Sequence, residues 1–344
     1  MAAQRTLIGA WLLCLGVASA WAAPVCELQD AALQGTFADL KPRAELSGAV
    51  MHGNFLLVVS NEAIGANEDH HAIQVFERTL DGAFRFVRDE IIFEADDDTC
   101  LYADFEGLAL SGDRLYVVGS HSSSHKKQKA GNSYKKNRKA LIELETDSCK
   151  SRNSLLEFRI DAQARLTRPG RRIKTNAVLH DHPVLSAFAG LPSKENGVDI
   201  EGLAARDGAL YLGFRGPVLR ENFVPVARVD PSGSDEPELS FVKLGGRGVR
   251  DMAATTDGFL ILAGPNGDQD WSFDLYHWDG RDMVTGTDRP QGGTVRHLCT
   301  IPHDPDGNPE GLAIVSSSAT AAEVILVYDS NARLIARRGS IPLQ

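Results

Sequence analysis

"DIEGLAARDGALYLGFR", residues 199 to 215, decides how the rest of the chain is read. It holds a short apolar strand, a polar turn at Arg206-Asp207-Gly208, and a second strand of Leu, Tyr and Phe. Asp and Gly tolerate the positive φ angles of tight turns, so the stretch predicts a β-hairpin. The phrase returns as "DFEGLALSGDRLYVVGS" from Asp104 and "NPEGLAIVSSSATAAEVILVYDS" from Asn308. Looser copies are "ELSGAVMHGNFLLVVSN" from Glu45 and "VRDMAATTDGFLILAGP" from Val249. Aligned on the second strand, the repeated position falls at Ser47, Glu106, Glu201, Asp251 and Glu310, in steps of 59, 95, 50 and 59 residues. Units of about fifty residues, each a four-stranded antiparallel sheet, mean an all-β fold of the β-propeller kind. The 95-residue step is near twice the others. A divergent blade around "KALIELETDSC" and "LLEFRIDAQARL" would fill it and give six blades; five with a large insertion is the runner-up.

The first residues carry one basic residue, Arg5, an apolar run from Leu7 to Val17, and an A-x-A site at Ala20-Trp21-Ala22. That layout reads as a secretory signal peptide over residues 1–22, with a single propeller domain over 23–344 and a periplasmic or secreted destination. The run is too short to span a membrane, and no other stretch is long and apolar enough. Beyond the signal remain Cys26, Cys100, Cys149 and Cys299, an even set that suits disulfides in an oxidising compartment. Three connectivities are open. Ring closure favours Cys26 with Cys299, which leaves Cys100 with Cys149. A net charge of −10 and a pI near 5.5 argue against nucleic acid as a partner. Oligomeric state is not legible.

In a propeller the first strand of each blade lines the central channel, and alternate residues on a strand share a face. Asp104 with Glu106, and Asp199 with Glu201, therefore point the same way and converge near one channel mouth. Converging carboxylates repel unless protonated, paired with Arg or neutralised by a cation. Oxygen ligands from Glu106, Glu201, Glu310 and Asp251 would favour calcium or magnesium, with no organic cofactor implied. The alternative is that arginines satisfy the acids. A hairpin returns to its starting face, which puts His121, Arg215 and Asn266 beside the acids, with Arg247 and Arg250 just ahead of Asp251. Arginine forks suit carboxylate or phosphate. Residues 121–140, "HSSSHKKQKAGNSYKKNRKA", hold seven Lys and Arg, including Lys126, Lys127 and Arg138, and no acid. This insertion should leave the same face and fold over the channel as a basic lid. His70 and His71 beside Asp69, and Asp96 to Asp98, are lesser metal candidates, and no G-x-S-x-G elbow or phosphate-cradling Gly-rich loop occurs.

The phrases "YADFEGLAL", "VGSH", "VDIEGLAA", "GFRGP" and "LGGRGVRDM" together resemble a bacterial exported family catalogued as domain of unknown function 3616. That resemblance covers most of the chain beyond the signal. It implies a propeller near the group called esterase-like activity of phytase, and it carries no established reaction or catalytic residue. "EGLA" is also similar to the strand start of six-bladed lactonases of the gluconolactonase kind. That likeness implies a metal-binding Glu, but Ser47 and Asp251 depart from the pattern.

Two functions follow from the sequence. One is a divalent-metal-assisted hydrolase of an anionic ester, a phosphoester first. In it Glu106, Glu201 and Glu310 hold the metal, Asp251 and Glu201 serve catalysis, and His121, Lys126, Lys127, Arg138, Arg215, Arg247 and Arg250 hold the substrate. The other is a propeller without catalysis that binds a small anion, an anionic glycan or a protein.

Overall fold

Each repeated hairpin extends outward by two more strands, because one sheet face cannot bury itself alone and packs on the next blade. The computed structural model describes residues 24–35, 45–64, 70–94, 103–144, 152–174, 181–233, 237–330 and 333–344. Blade one consists of β3 (Leu46–His52), β4 (Phe55–Ser60), β5 (His70–Arg78) and β6 (Phe84–Glu94). Blade two is β7 (Phe105–Ser111), β8 (Arg114–Gly119), β9 (Leu155–Ile160) and β10 (Leu166–Ile173). Blade three is β11 (Asp199–Arg206), β12 (Ala209–Gly216), β13 (Phe223–Val229) and β14 (Glu238–Lys243). Blade four is β15 (Gly248–Ala254), β16 (Phe259–Gly264), β17 (Asp274–Trp278) and β18 (Val295–Thr300). Blade five is β19 (Gly307–Ser317), β20 (Ala321–Ser330) and β21 (Ala336–Pro342), completed by the N-terminal β1 (Gln29–Asp30).

Five blades, rather than the preferred six, make up the described residues. Among the described residues the 95-residue step contains no extra sheet. "LLEFRIDAQARL" forms β9 and opens β10 of blade two, and "KALIELETDSC" begins in helix α1 (Tyr134–Ala140). Long connections from β8 to β9 and from β10 to β11 lengthen the spacing without adding strands. Ser133 caps α1, its hydroxyl accepting from the N–H of Lys136 at 3.3 Å. Among the described residues no helix is long and apolar enough to cross a membrane.

The ring is closed by the first dozen described residues, which run across three blades. Cys26 bonds to Cys299 on β18, β1 pairs antiparallel with β21, and β2 (Leu33–Gln34) pairs parallel with β6. The disulfide favoured by ring closure is therefore present. Cys100 and Cys149 lie outside the described residues, as does the signal-like segment 1–22. Apolar side chains fill the seams between neighbouring blades, with Phe259 and Trp278 stacked at 5.2 Å in one of them.

The inner strands β3, β7, β11, β15 and β19 pack on one another in that cyclic order. Each carries a β-bulge at the same place in its hairpin, leaving Ser47, Glu106, Glu201, Arg250 and Glu310 unpaired in register. A bulge re-aims its side chain. The next residue is Gly in four blades, since the neighbouring inner strand comes too close for a side chain. A Cβ at Gly48 would stand 2.6 Å from the carbonyl oxygen of Glu106, and one at Gly107 2.9 Å from that of Glu201. In blade four the glycine position is taken by Asp251. The sequence alignment therefore placed that blade one residue out of step, and Arg250 is the counterpart of the repeated Glu.

Asp251 is fully buried. Its Oδ1 accepts the N–H of Met252 and its Oδ2 that of Leu312, each at 2.7 Å. The backbone N–H groups of Leu203 and Ala49 also bond to it. One carboxylate thus ties β15 to β19, β11 and β3. Burial pushes its pKa well up, while these four donors pull it down. Buried beyond solvent and used up by backbone donors, Asp251 is a structural staple rather than a metal ligand or general base.

Removing the staple leaves buried N–H donors without partners, so Asp251→Ala should lose more than about 3 kcal/mol of stability. Urea unfolding checks this, with the exposed turn residue variant Asp207→Asn changing by less than about 0.5 kcal/mol as the control. Equal midpoints for the two variants would contradict the assignment.

Candidate functional site: the channel mouth and its basic canopy

The bulged residues and the hairpin ends meet at one mouth of the channel. Arg215, near the end of β12, lies across from the start of β11, where it pairs with Asp199 and, at 2.7 Å, with Glu201 Oε1. Arg250 Nε sits 2.9 Å from Glu201 Oε2, and its Nη2 pairs with Glu310. The result is an alternating row, Asp199–Arg215–Glu201–Arg250–Glu310, in which no side chain is more than 13% exposed. Buried ions are tolerable only when paired, and alternation supplies the pairing, while Asp199 Oδ2, Arg215 Nε and Arg250 Nε lack a well-formed hydrogen bond among the described residues. Burial opposes the charge on Arg215, yet Asp199 and Glu201 hold its guanidinium above its usual range. Asp199 is pushed up to about 7 by burial, against the pull of Arg215.

Glu106 stands outside the row. It faces the same cavity and forms no ion pair among the described residues. Burial, with Asp104, Glu201 and Asp199 close by, raises its pKa well above the carboxylate range. Next to it Asp104 has a left-handed φ of 50° and accepts the Ser120 hydroxyl at 2.5 Å, with Arg152 Nε 3.8 Å away.

Above this floor opens a cavity of about 1600 Å³, walled by Lys126, Lys127, Lys129, Lys136 and Lys139 of the basic insertion. The insertion is fastened at its base, where Ser193 N–H donates to the Ser123 carbonyl at 2.8 Å and His125 bonds Glu195. Lys126 and Lys139 share Glu143, at 3.6 and 2.8 Å. Lys127, Lys129 and Lys136 have no carboxylate partner among the described residues.

Of the residues singled out from the sequence, Glu106, Glu201, Glu310, Arg215, Arg250, Lys126 and Lys127 all line this cavity. Others lie elsewhere. His121 is buried, with a left-handed φ of 56°, and Nδ1 donates to the Gly119 carbonyl at 2.8 Å. Arg138 extends along α1 to the Tyr134 hydroxyl at 3.3 Å. Arg247 donates to the carbonyl and hydroxyl of Ser272 at 2.9 and 2.8 Å and pairs with Asp274, so it positions a loop. Asn266 bonds Asn196 at 3.1 Å. His71 packs edge-on against Phe105, 5.2 Å between ring centres, and Asp69 and Asp96 to Asp98 lie outside the described residues. Lys129 and Lys136 belong to the basic insertion that the sequence marked as a whole, while Arg152 and Trp271 were unsuspected; Trp271 follows "GPN" after a second strand, and the hairpin-end rule that picked Asn266 reaches it too.

Three of the residues named for a divalent cation are already engaged by other groups of the chain. Arg250 stands between Glu201 and Glu310, and Asp251 is enclosed below. Among the described residues no group of three or more His, Cys, Asp or Glu is arranged to hold a metal.

Five four-stranded blades around a buried channel, with a charged mouth under an inserted canopy, define a five-bladed β-propeller. The chain belongs to the family of proteins of unknown function DUF3616, whose model matches residues 45–340. No curated protein matches it. Solved structures similar in fold include an exo-β-1,3-galactanase from Phanerochaete chrysosporium (8% identity, TM-score 0.45, 92% of this chain and 65% of that one). A glucose dehydrogenase is similar at 13% identity and TM-score 0.39, covering 92% of this chain and 87% of that one. A β-fructofuranosidase from Bombyx mori is similar at 10% identity and TM-score 0.44, covering 87% and 60%. The matches span about 65% of the galactanase and 60% of the fructofuranosidase.

A carboxyl that keeps its proton more tightly in the fold than in the unfolded chain stabilises most at low pH, and that contribution is lost as pH rises through the folded-state value. Glu106→Gln mimics the protonated form at every pH. Thermal melts should find the stability of the variant relative to the wild type rising from acidic to alkaline pH, with the variant the more stable of the two at pH 8.5. Parallel pH profiles for the two proteins would contradict the raised pKa.

Proposed function

We propose that the protein is an exported recognition propeller that holds an anionic ligand between the lysine canopy and the carboxylate–arginine floor. The carrying observation is the imbalance between the two surfaces. Asp199, Glu201 and Glu310 of the floor already have Arg215 and Arg250, whereas Lys127, Lys129 and Lys136 face the same cavity with no ion pair among the described residues. Such cations on the walls of a cleft focus the field there and concentrate anions, even in a chain whose net charge is −10. Export is supported by the signal-like layout of residues 1–22 and by the Cys26–Cys299 disulfide, a bond that persists in oxidising compartments.

A second reading, hydrolysis of an anionic ester, is favoured by Glu106. A carboxyl whose pKa is raised by burial and neighbouring carboxylates is suited to protonating a departing oxygen. The version of this reading that places calcium or magnesium on Glu106, Glu201, Glu310 and Asp251 requires Arg250 to leave two carboxylates.

Calorimetric titration with tripolyphosphate tests the binding reading. Affinity should fall as salt is raised, and replacing Lys127, Lys129 and Lys136 together by Ala should weaken it by about tenfold or more, a loss of ~1.4 kcal/mol. Unchanged affinity in the triple variant would overturn it. Turnover of p-nitrophenyl phosphate, abolished in Glu106→Gln, would instead establish the second reading.

A further inference from the structure

Trp271 is 46% exposed, while Trp278 in the same blade is fully buried. A large apolar side chain left open within a cavity is more informative than one scattered on a convex surface. Trp271 lines the cavity that also holds Glu310 and the lysines. Its position is fixed from both sides. Arg247 pins the adjacent Ser272 through two hydrogen bonds of 2.9 and 2.8 Å. Phe273 packs on Gly264, where a Cβ would stand 2.5 Å from its ring. The indole edge rests over Gly246, 3.8 Å from where its Cβ would be, in a turn where Gly245 and Gly246 have left-handed φ of 64° and 89°. No cation lies over the indole among the described residues. An aromatic ring held in place before binding loses little entropy when a ligand lies on it.

The chemistry around the ring selects the ligand. Asp268, which pairs with Lys194 at 2.6 Å, Gln269, whose Oε1 accepts the N–H of Gly267, and Asp270 precede Trp271 along the cavity wall. Carboxylates and an amide beside an indole suit a molecule with an apolar C–H face and hydroxyls around its edge, and they repel a bare anion. That molecule is a sugar ring. The cavity volume of about 1600 Å³ exceeds the usual small-molecule range and suits several linked rings.

We propose that Trp271 is the stacking platform of a saccharide subsite, and that the anion held under the canopy is carried by the sugar, making the ligand an acidic oligosaccharide. This rests on the anion-binding reading above. The sugar face lies on Trp271, hydroxyls meet the Asp268–Asp270 segment, and an acid group on a neighbouring ring reaches Lys127, Lys129 or Lys136.

Calorimetry with three probes on the wild type and Trp271→Ala separates the two claims. The probes are tetragalacturonate, neutral maltotetraose and tripolyphosphate. The expected result is wild-type binding of tetragalacturonate, weakened tenfold or more in Trp271→Ala, with tripolyphosphate affinity changed less than twofold and the melting temperature unchanged. Equal tetragalacturonate affinity in the two proteins overturns the subsite, as does a wild type that binds tripolyphosphate but no galacturonate. In both cases the anion site survives. Maltotetraose bound as tightly as tetragalacturonate overturns the acidic part of the proposal. A wild type that binds neither anion overturns the anion reading itself.

Discussion

The carboxylate of Asp251 is the contact on which the rest of this structure depends. It occupies a place where the other four blades have glycine, because inner strands crowd the axis. Instead of clashing, it gathers backbone N–H groups from β3, β11, β15 and β19. An isolated buried charge would cost several kcal/mol; four donors around it turn that cost into a reason for the inner strands to hold one register. The bulges immediately before this layer then set which side chains reach the mouth.

What reaches the mouth is an alternation of sign. Three of the five bulged positions are glutamates, and the fourth blade contributes Arg250 between two of them. Arg215 comes in from a strand end and completes the row. Because acids and arginines neutralise one another, the floor is charged but nearly balanced, and Glu106, which forms no ion pair among the described residues, has its pKa raised by burial and by the neighbouring carboxylates. Positive charge on the facing wall comes from the lysines overhead, and the apolar surface from Trp271 at the rim. In the proposed binding mode, balanced floor, basic canopy and open indole are different contacts for one ligand rather than three separate sites.

Much of this was legible in the sequence. Gly-containing turns between apolar strands gave the hairpins, their spacing gave a propeller, and closure of a ring linked Cys26 to Cys299. The strand period put Asp199 and Glu201 on one face, and the return of a hairpin put Arg215 beside them. The blade count went astray because loop insertions mimic a blade in spacing. Arg250 was hidden by the Gly-to-Asp exchange at Asp251, which makes "RD" align as if Asp were the repeated acid. His121 turned inward because its left-handed backbone redirects the side chain, a local choice no periodicity predicts. Arg138 falls on a helix that the strand-based repeat gave no reason to expect.

The central claim is that arginine, not a divalent cation, neutralises the channel mouth. The most direct measurement is the metal content of the purified protein, followed by its thermal melt with and without EDTA. The account predicts no stoichiometric calcium, magnesium, manganese or zinc, and a midpoint that chelator leaves in place. One equivalent of metal per chain, lost with EDTA together with several degrees of melting temperature and absent from Glu201→Gln, would contradict it.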